Sequence, residues 1–134
     1  MYLNRLNNEQ KELFIDLCIH ASLSNNNFAA EQKGTINAYC KEMNLSDIRY
    51  ETSKSLDEVL DRIIEISTKD EIRIIILEIT ALIISDDIYD EREKAFMDRL
   101  INKTGISKER LDEILTCLHE LTATYKKINN LIFE

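Results

Sequence analysis

The fold of this chain is set by residues 68–107, which read TKDEIRIIILEITALIISDDIYDEREKAFMDRLINKTGIS. Thr68 followed by Glu71 is a capping-box pattern, which starts a helix by satisfying its first backbone N–H groups. The residues that follow, Lys69–Ser85, are apolar on most of the circumference of a helix. Such a helix is usually surrounded by other elements. We therefore predict that Lys69–Ser85 is the central and most buried helix of the domain.

The second part of this stretch predicts a turn and another helix. Residues 86–89 break the apolar pattern, and Asp90 followed by Glu93 repeats the capping-box spacing. The predicted helix continues to about Lys103, and Gly105 is suited to the left-handed conformation that often ends a helix. The two predicted helices therefore form a helical hairpin.

Apolar side chains recur at helical spacing through most of the remaining chain as well. Capping residues at Asn7 and Ser55 mark two further helix starts. The predicted helices cover residues 8–24, 29–43, about ten residues from 55, 69–85, 90–103 and 107–127. The tail from Asn129 is expected to pack on the domain through Leu131–Phe133. The sequence thus predicts one all-α domain of about six helices, residues 1–134.

The two halves of the chain resemble each other. An offset of 61 residues pairs Ile36 with Met97, and the Leu45-Ser46 pair with Ile106-Ser107. Each half reads as a long helix, a short polar turn and a second amphipathic helix, with an apolar face that it cannot bury alone. Stacking the two hairpins would bury both faces, as in helical repeats. We therefore predict pseudo-repeats over residues 8–45 and 69–106.

The composition excludes several classes of protein. The chain of 134 residues has no proline and two glycines, whereas a turn-rich all-β fold needs many more of both. Its net charge of −8 disfavours binding to nucleic acid or to an anionic membrane surface, because both repel an acidic domain. Cations and basic protein partners are compatible with this charge.

The cysteines and the apolar runs indicate the compartment. Cys18, Cys40 and Cys117 are odd in number and widely spaced, which indicates free thiols in a reducing environment. The first residues lack the basic and then apolar order of a signal peptide. The longest apolar run, residues 72–85, is shorter than the roughly 20 residues that span a bilayer. We expect a cytoplasmic protein without membrane insertion.

The predicted turn between the two hairpin helices is acidic, with carboxylates at Asp86, Asp87, Asp90, Glu91 and Glu93. One interpretation is a site for a hard cation, Ca²⁺ or Mg²⁺, whose charge relieves their mutual repulsion. A tight turn would bring Asp86, Asp90 and Glu93 together as ligands, with Asp87 assisting. The other interpretation is a solvated helix start, with Asp90 as its N-cap. The spacing does not fit an EF-hand.

Residues 81–107, ALIISDDIYDEREKAFMDRLINKTGIS, resemble the core motif of the TerB-like family, the tellurite-resistance-associated and DnaJ-linked helical domains. The positions that match are Asp86 for the aspartate of the motif, Tyr89 for its apolar turn residue, Glu93 for its glutamate, and Gly105-Ile106 for its end. The chain departs from the motif at Asp87, where the family has glycine, so the turn can differ in shape.

The resemblance implies an all-α fold of two repeated hairpins and a role in tellurite or other stress responses. Acidic turns of this family are associated with divalent cations, which favours the cation interpretation. In the first hairpin, Asn25 and Gln32 stand where Asp86 and Glu93 stand in the second. They lack the charge that dominates cation affinity. A site is therefore expected in the second hairpin.

The sequence does not contain the motifs of common enzymes. No P-loop, dinucleotide-binding or nucleophile-elbow pattern occurs, and His119 is not followed by the second histidine of a zinc protease. Cys18 and His20 lie two residues apart, as do Cys117 and His119. Such pairs point about 200° apart on a helix and cannot share a metal ion. We expect no enzyme.

Two hypotheses of function follow. The first is a non-enzymatic TerB-like accessory module that docks to other proteins in a stress-response or envelope-associated system and binds a divalent cation at the acidic turn. The second is a plain protein–protein interaction or dimerisation domain with no metal site. Both hypotheses require protein partners, and a homodimer is compatible with either.

Overall fold

A computed structural model describes residues 1–23, 30–45, 50–84 and 91–133 of the chain. All regular structure within these ranges is helical, which confirms the predicted all-α class. The elements are a 3₁₀ turn at Leu3–Arg5, α1 at Asn8–Leu23, α2 at Ala30–Glu42, α3 at Leu56–Ile66, α4 at Lys69–Ile83, α5 at Glu91–Thr104 and α6 at Lys108–Phe133. None of these helices, over the described ranges, combines the length and the apolar character that crossing a membrane requires.

The capping residues begin the helices where the sequence places them. The backbone N–H of Gln10 donates to Asn7 Oδ1 at 2.9 Å, and the backbone N–H of Asn7 donates to Gln10 Oε1 at the same distance. Thr68 and Glu71 form the equivalent reciprocal pair at the start of α4. Gly105 has a φ of 77°, the left-handed conformation expected after α5.

Helix α1 is the most buried helix, and the prediction that Lys69–Ser85 holds this position is wrong. Ten of the sixteen residues of α1 are buried, against seven of the fifteen residues of α4. Helix α1 packs against α2, α3 and α4. In α4, Ile74 and Leu77 remain half-buried, so one side of this apolar helix is incompletely covered.

The polar residues on α1 make its burial difficult to predict from the sequence. Gln10 and Asp16 resemble positions on a solvent-facing side, which narrows the apparent apolar face of the helix. In the fold, Gln10 Nε2 donates to Ser67 Oγ at 2.9 Å, and an Asp16 carboxylate oxygen lies 3.7 Å from Lys54 Nζ. Because these polar groups have partners, α1 can be buried on more than its apolar side.

Ion pairs on the surface link α1 to α3 and α3 to α5. Each joins a basic side chain on one helix to a carboxylate on the next. The pairs are Arg62 Nε with Glu9 at 2.6 Å, Arg99 with Asp57 at 2.7 Å, and Lys103 with Asp61 at 2.7 Å. These groups are largely exposed, so each pair contributes little to the stability of the fold.

The two predicted hairpins correspond to α1–α2 and α4–α5. Their helices have similar lengths, 16 and 13 residues in the first pair and 15 and 14 in the second. Ile36 and Met97, which the offset pairs, are both buried. The connecting segments 24–29 and 85–90 lie outside the described residues, and the pseudo-repeat stays a prediction.

Helix α6 is longer than predicted. It continues as one helix of 26 residues to Phe133, rather than ending near Lys127. Its first half packs on α4 and buries Leu111 and Leu118. The predicted packing of Leu131–Phe133 is wrong, because these three residues are helical and exposed.

Candidate functional site

Most of the predicted cation site falls outside the described residues. Asp86, Asp87 and Asp90 lie in the segment 85–90, so the structure neither brings these carboxylates together nor separates them. Asn25, in the first hairpin, lies outside the described residues as well. Among the residues that are described, no group of three histidine, cysteine or acidic side chains is arranged to hold a metal ion.

Glu93 is the predicted ligand that the structure does describe. It lies in the first turn of α5 and is buried, with 1% of its surface exposed. Its neighbour Glu91 is exposed and lies 3.7 Å from Lys94 Nζ. A carboxylate in the first helical turn is favoured by the positive end of the helix dipole. The position of Glu93 is therefore compatible with both interpretations of the acidic turn.

The two Cys-x-His pairs do not converge. Cys18 is buried in α1, whereas His20 lies nearer the surface with Nε2 at 2.8 Å from the backbone oxygen of Lys54. Cys117 and His119 are both exposed on α6. In neither pair do the cysteine and histidine side chains form a shared site.

Glu78 is a buried carboxylate that the sequence does not single out. It is 2% exposed, although it interrupts an apolar run and looks like a surface position. Its Oε1 accepts the backbone N–H of Tyr2 at 3.0 Å and also contacts the amine of Met1. Tyr39 donates its hydroxyl to the backbone oxygen of Glu78 at 2.9 Å. These contacts join Met1, Tyr2 and α2 to α4, which is a structural role.

A groove of about 450 Å³ lies between the 3₁₀ turn, α4 and the first half of α6. Its apolar lining includes Ile74, Leu77 and Ile114, with Tyr2 and Cys117 beside them. Charged residues also line it, namely Arg5, Asp70, Arg73, Arg110 and Glu113. Because these charges have both signs, the groove does not select a class of ligand by charge.

The second half of α6 projects from the rest of the molecule. Every residue from His119 to Phe133 is exposed. We call residues 119–133 the projecting segment. The remainder of the described structure is called the body. Large apolar side chains are among the exposed ones. They are Leu121 at 38%, Tyr125 at 62%, Ile128 at 44%, Leu131 at 85%, Ile132 at 64% and Phe133 at 81%.

These exposed side chains continue a regular pattern that begins in the body. Leu111, Ile114 and Leu118 are spaced by three and then four residues, and they contact the body. The same alternation continues through four exposed residues, which we call the apolar stripe: Leu121, Tyr125, Ile128 and Ile132. This is the a/d spacing of a coiled coil. It was present in the sequence, and extending the helical register beyond Lys127 would have found it.

Comparison with known proteins gives no match: no family model, curated protein or solved structure is significantly similar to the chain. The resemblance to the TerB-like motif therefore stays a prediction. The functional argument depends on the surface that the fold presents, and above all on the projecting segment.

Proposed function

We propose that this chain is a non-enzymatic protein-interaction module that docks an amphipathic partner helix on the apolar stripe of α6. The observation that carries this proposal is the exposure of four regularly spaced apolar side chains on a helix that extends beyond its own body. Contiguous apolar surface of this kind is uncommon on monomeric proteins and marks interaction sites.

The projecting segment also lacks tertiary packing of its own, since every one of its residues is exposed. It contains several residues with modest helix propensity, among them Thr122, Thr124, Asn129 and Asn130. The packed first half of α6 supplies the helical nucleus, but most helical stability in proteins comes from tertiary packing of an apolar face. Docking a second helix on the apolar stripe would supply the missing packing.

The spacing of the stripe indicates a helical partner rather than an extended one. Side chains that alternate by three and four residues form a narrow seam along one side of a helix, and a second helix can interdigitate with that seam. An extended peptide would instead pair with the free edge of a sheet, and no strand is present among the described residues.

A photo-reactive amino acid placed in the full chain tests this proposal in the cells that naturally contain it. Replacing Tyr125, on the stripe, should give a covalent adduct with a partner when the cells are irradiated. Replacing Ala123, which lies on the opposite side of α6, is the matched control and should give little or none. Equal labelling from both positions, or none from Tyr125, would contradict the proposal.

The TerB-like hypothesis supplies a second candidate function, cation binding at the acidic turn with a role in stress responses. The observation that favours it is the buried carboxylate of Glu93, beside a segment that contains three more acidic residues. Carboxylate oxygens are the ligands that Ca²⁺ and Mg²⁺ prefer. We propose Asp86, Asp90 and Glu93 as the ligands, with Asp87 assisting.

Calorimetric titration with Ca²⁺ and Mg²⁺ tests the second candidate. Three carboxylates without a full cage should bind weakly, in the range of about 10⁻⁴–10⁻³ M. Glu93→Gln should weaken this binding several-fold, whereas Gln32→Glu in the first hairpin should leave it nearly unchanged. If millimolar Ca²⁺ and Mg²⁺ produce neither heat nor a rise in the melting temperature, the capped-helix interpretation stands.

A further inference from the structure

We infer that the partner on the apolar stripe is a second copy of this chain, bound so that the two projecting segments run antiparallel. This inference rests on the proposed function and names its partner. It follows from where the body lies on α6, from the register of the stripe and from the residues that flank it.

A parallel pair of α6 helices is obstructed by the body. The a/d side of α6 faces the body between Leu111 and Leu118, where these residues are only 5% exposed. In a parallel coiled coil the second helix would lie on this same side along its whole length. It would have to pass through the space that α4 and the core already occupy. Only the projecting segment can therefore receive a partner helix.

An antiparallel pair avoids this obstruction because it uses only the part of the a/d side of α6 that the body leaves open. The projecting segment has 15 residues, which is about 22 Å of helix. Placing Tyr125 opposite Ile128 of the second copy also places Leu121 opposite Ile132, and the reverse contacts follow by symmetry. In this register Phe133 of one copy lies beside Glu120 of the other, so residues 119–133 of each copy pair with the projecting segment of the other.

The residues beside the stripe suit the meeting of two identical faces. Thr122, Thr124, Asn129 and Leu131 flank it, and none of them carries a charge. Flanking charges usually decide which coiled-coil partners are accepted, and like charges there prevent self-association. Because the residues that flank this stripe are uncharged, they do not repel a second copy of the chain. The antiparallel arrangement also places the two acidic bodies at opposite ends, which limits their mutual repulsion.

The mass of the purified full chain in solution is the first test. Light scattering and sedimentation over a wide concentration range should show a species of twice 15.7 kDa. Ile128→Glu puts a charge into the seam and should weaken self-association by more than about tenfold. Asn130→Glu adds the same charge on the opposite side of α6 and should leave self-association unchanged. Circular dichroism of both variants reports whether the body remains folded.

Disulfide formation between two single-cysteine variants tests the direction. In the antiparallel register, position 122 of one copy lies beside position 129 of the other, whereas a parallel pair keeps these positions apart. In a Cys117→Ser background, a mixture of Thr122→Cys and Asn129→Cys chains should form a mixed disulfide dimer on mild oxidation. Each variant alone should form much less. Equal yields in the mixture and in the separate samples would contradict the antiparallel register.

The results also separate this inference from the proposed function on which it rests. A chain that stays monomeric at every concentration, or a dimer that Ile128→Glu does not weaken, overturns the inference. If the photo-reactive group at position 125 then still captures a different protein, and the one at position 123 does not, the interaction module stands with another partner. If position 125 captures nothing, both proposals fail.

Discussion

Two partly buried polar contacts join the N-terminal part of the chain to the middle of α4. Tyr39 donates its hydroxyl to the backbone oxygen of Glu78, and the Glu78 side chain accepts the backbone N–H of Tyr2. The ring of Tyr39 also meets Phe14 edge to face, with 5.3 Å between the ring centroids. One aromatic residue of α2 thus packs on α1 and bonds to α4.

Tyr39→Phe should destabilise the fold by about 0.5–1.5 kcal/mol, the net contribution of a typical hydrogen bond. The ring and its contact with Phe14 remain, so the change isolates the hydroxyl. Chemical denaturation measures the free energy of unfolding. Tyr125→Phe, at a position that is 62% exposed, is the control and should change the stability by less than about 0.5 kcal/mol. Equal effects at the two positions would show that the Tyr39 hydroxyl contributes nothing.

Alkaline pH should destabilise the protein through the same residue. Burial, with the nearby Cys18 and Glu78, raises the pKa of Tyr39 well above the usual value of about 10. The folded state therefore keeps this proton at a pH where the unfolded chain releases it. Stability is full below about pH 10 and falls as the pH rises above it. Tyr39→Phe should show a shallower decline when unfolding midpoints are measured across this pH range.

At the scale of single residues, the sequence predicts contacts within a helix but not contacts between distant segments. The capping residues Asn7 and Thr68 were predictable, because a cap acts on its own helix within three residues. Glu78 was not, because its partners lie 39 or more positions away and no local pattern indicates them. The same holds for Asp16, whose lysine partner is on another segment.

At the scale of elements, α1 and α4 exchange the roles that their sequences predict. Helix α4 has the more apolar sequence, yet part of its surface lines the groove beside α6. Helix α1 carries more polar residues and is nevertheless covered by three other helices. Apolar periodicity identifies a face that can be buried, but the number of neighbours depends on how all the helices assemble.

Truncating one leucine in each helix tests this exchange. Leu17→Ala in α1 removes a fully buried side chain and should cost about 2–5 kcal/mol of unfolding free energy. Leu77→Ala in α4 is its counterpart, and it should cost clearly less because that side chain is only half-buried. Ile79→Ala, at a fully buried position of α4, should cost about as much unfolding free energy as Leu17→Ala. A larger loss at Leu77 than at Leu17 would contradict this account.

Helix α6 shows what was predictable about the candidate site. The regular spacing from Leu111 to Leu121 predicts a helix, and the same spacing continues to Ile132. The apolar residues near the end of the chain instead suggested a tail that folds back on the domain. Apolar character alone does not distinguish a segment that packs on its own body from one that is left for a partner.

At the scale of the whole molecule, the described residues form a helical body with one helix extending from it. The class, the number of helices and most of their boundaries were predictable, because they depend on local spacing and capping. The arrangement of the helices was not, since it depends on contacts between distant segments such as Asp61 with Lys103 and Gln10 with Ser67. The projection of α6 follows from that arrangement, so it was not predictable from the sequence either.

The central position of α1 has a consequence for how the chain is made. Helix α1 is complete at Leu23, but α4, one of the helices that cover it, is complete only at Ile83. At synthesis rates of about 5–20 residues per second, a growing chain waits roughly 3–12 seconds between these two points. During that interval the side of α1 that packs on α4 stays exposed to solvent, and a chain interrupted before α4 would keep that side uncovered. Early termination should therefore yield a fragment that chaperones hold or that aggregates, rather than a smaller folded domain.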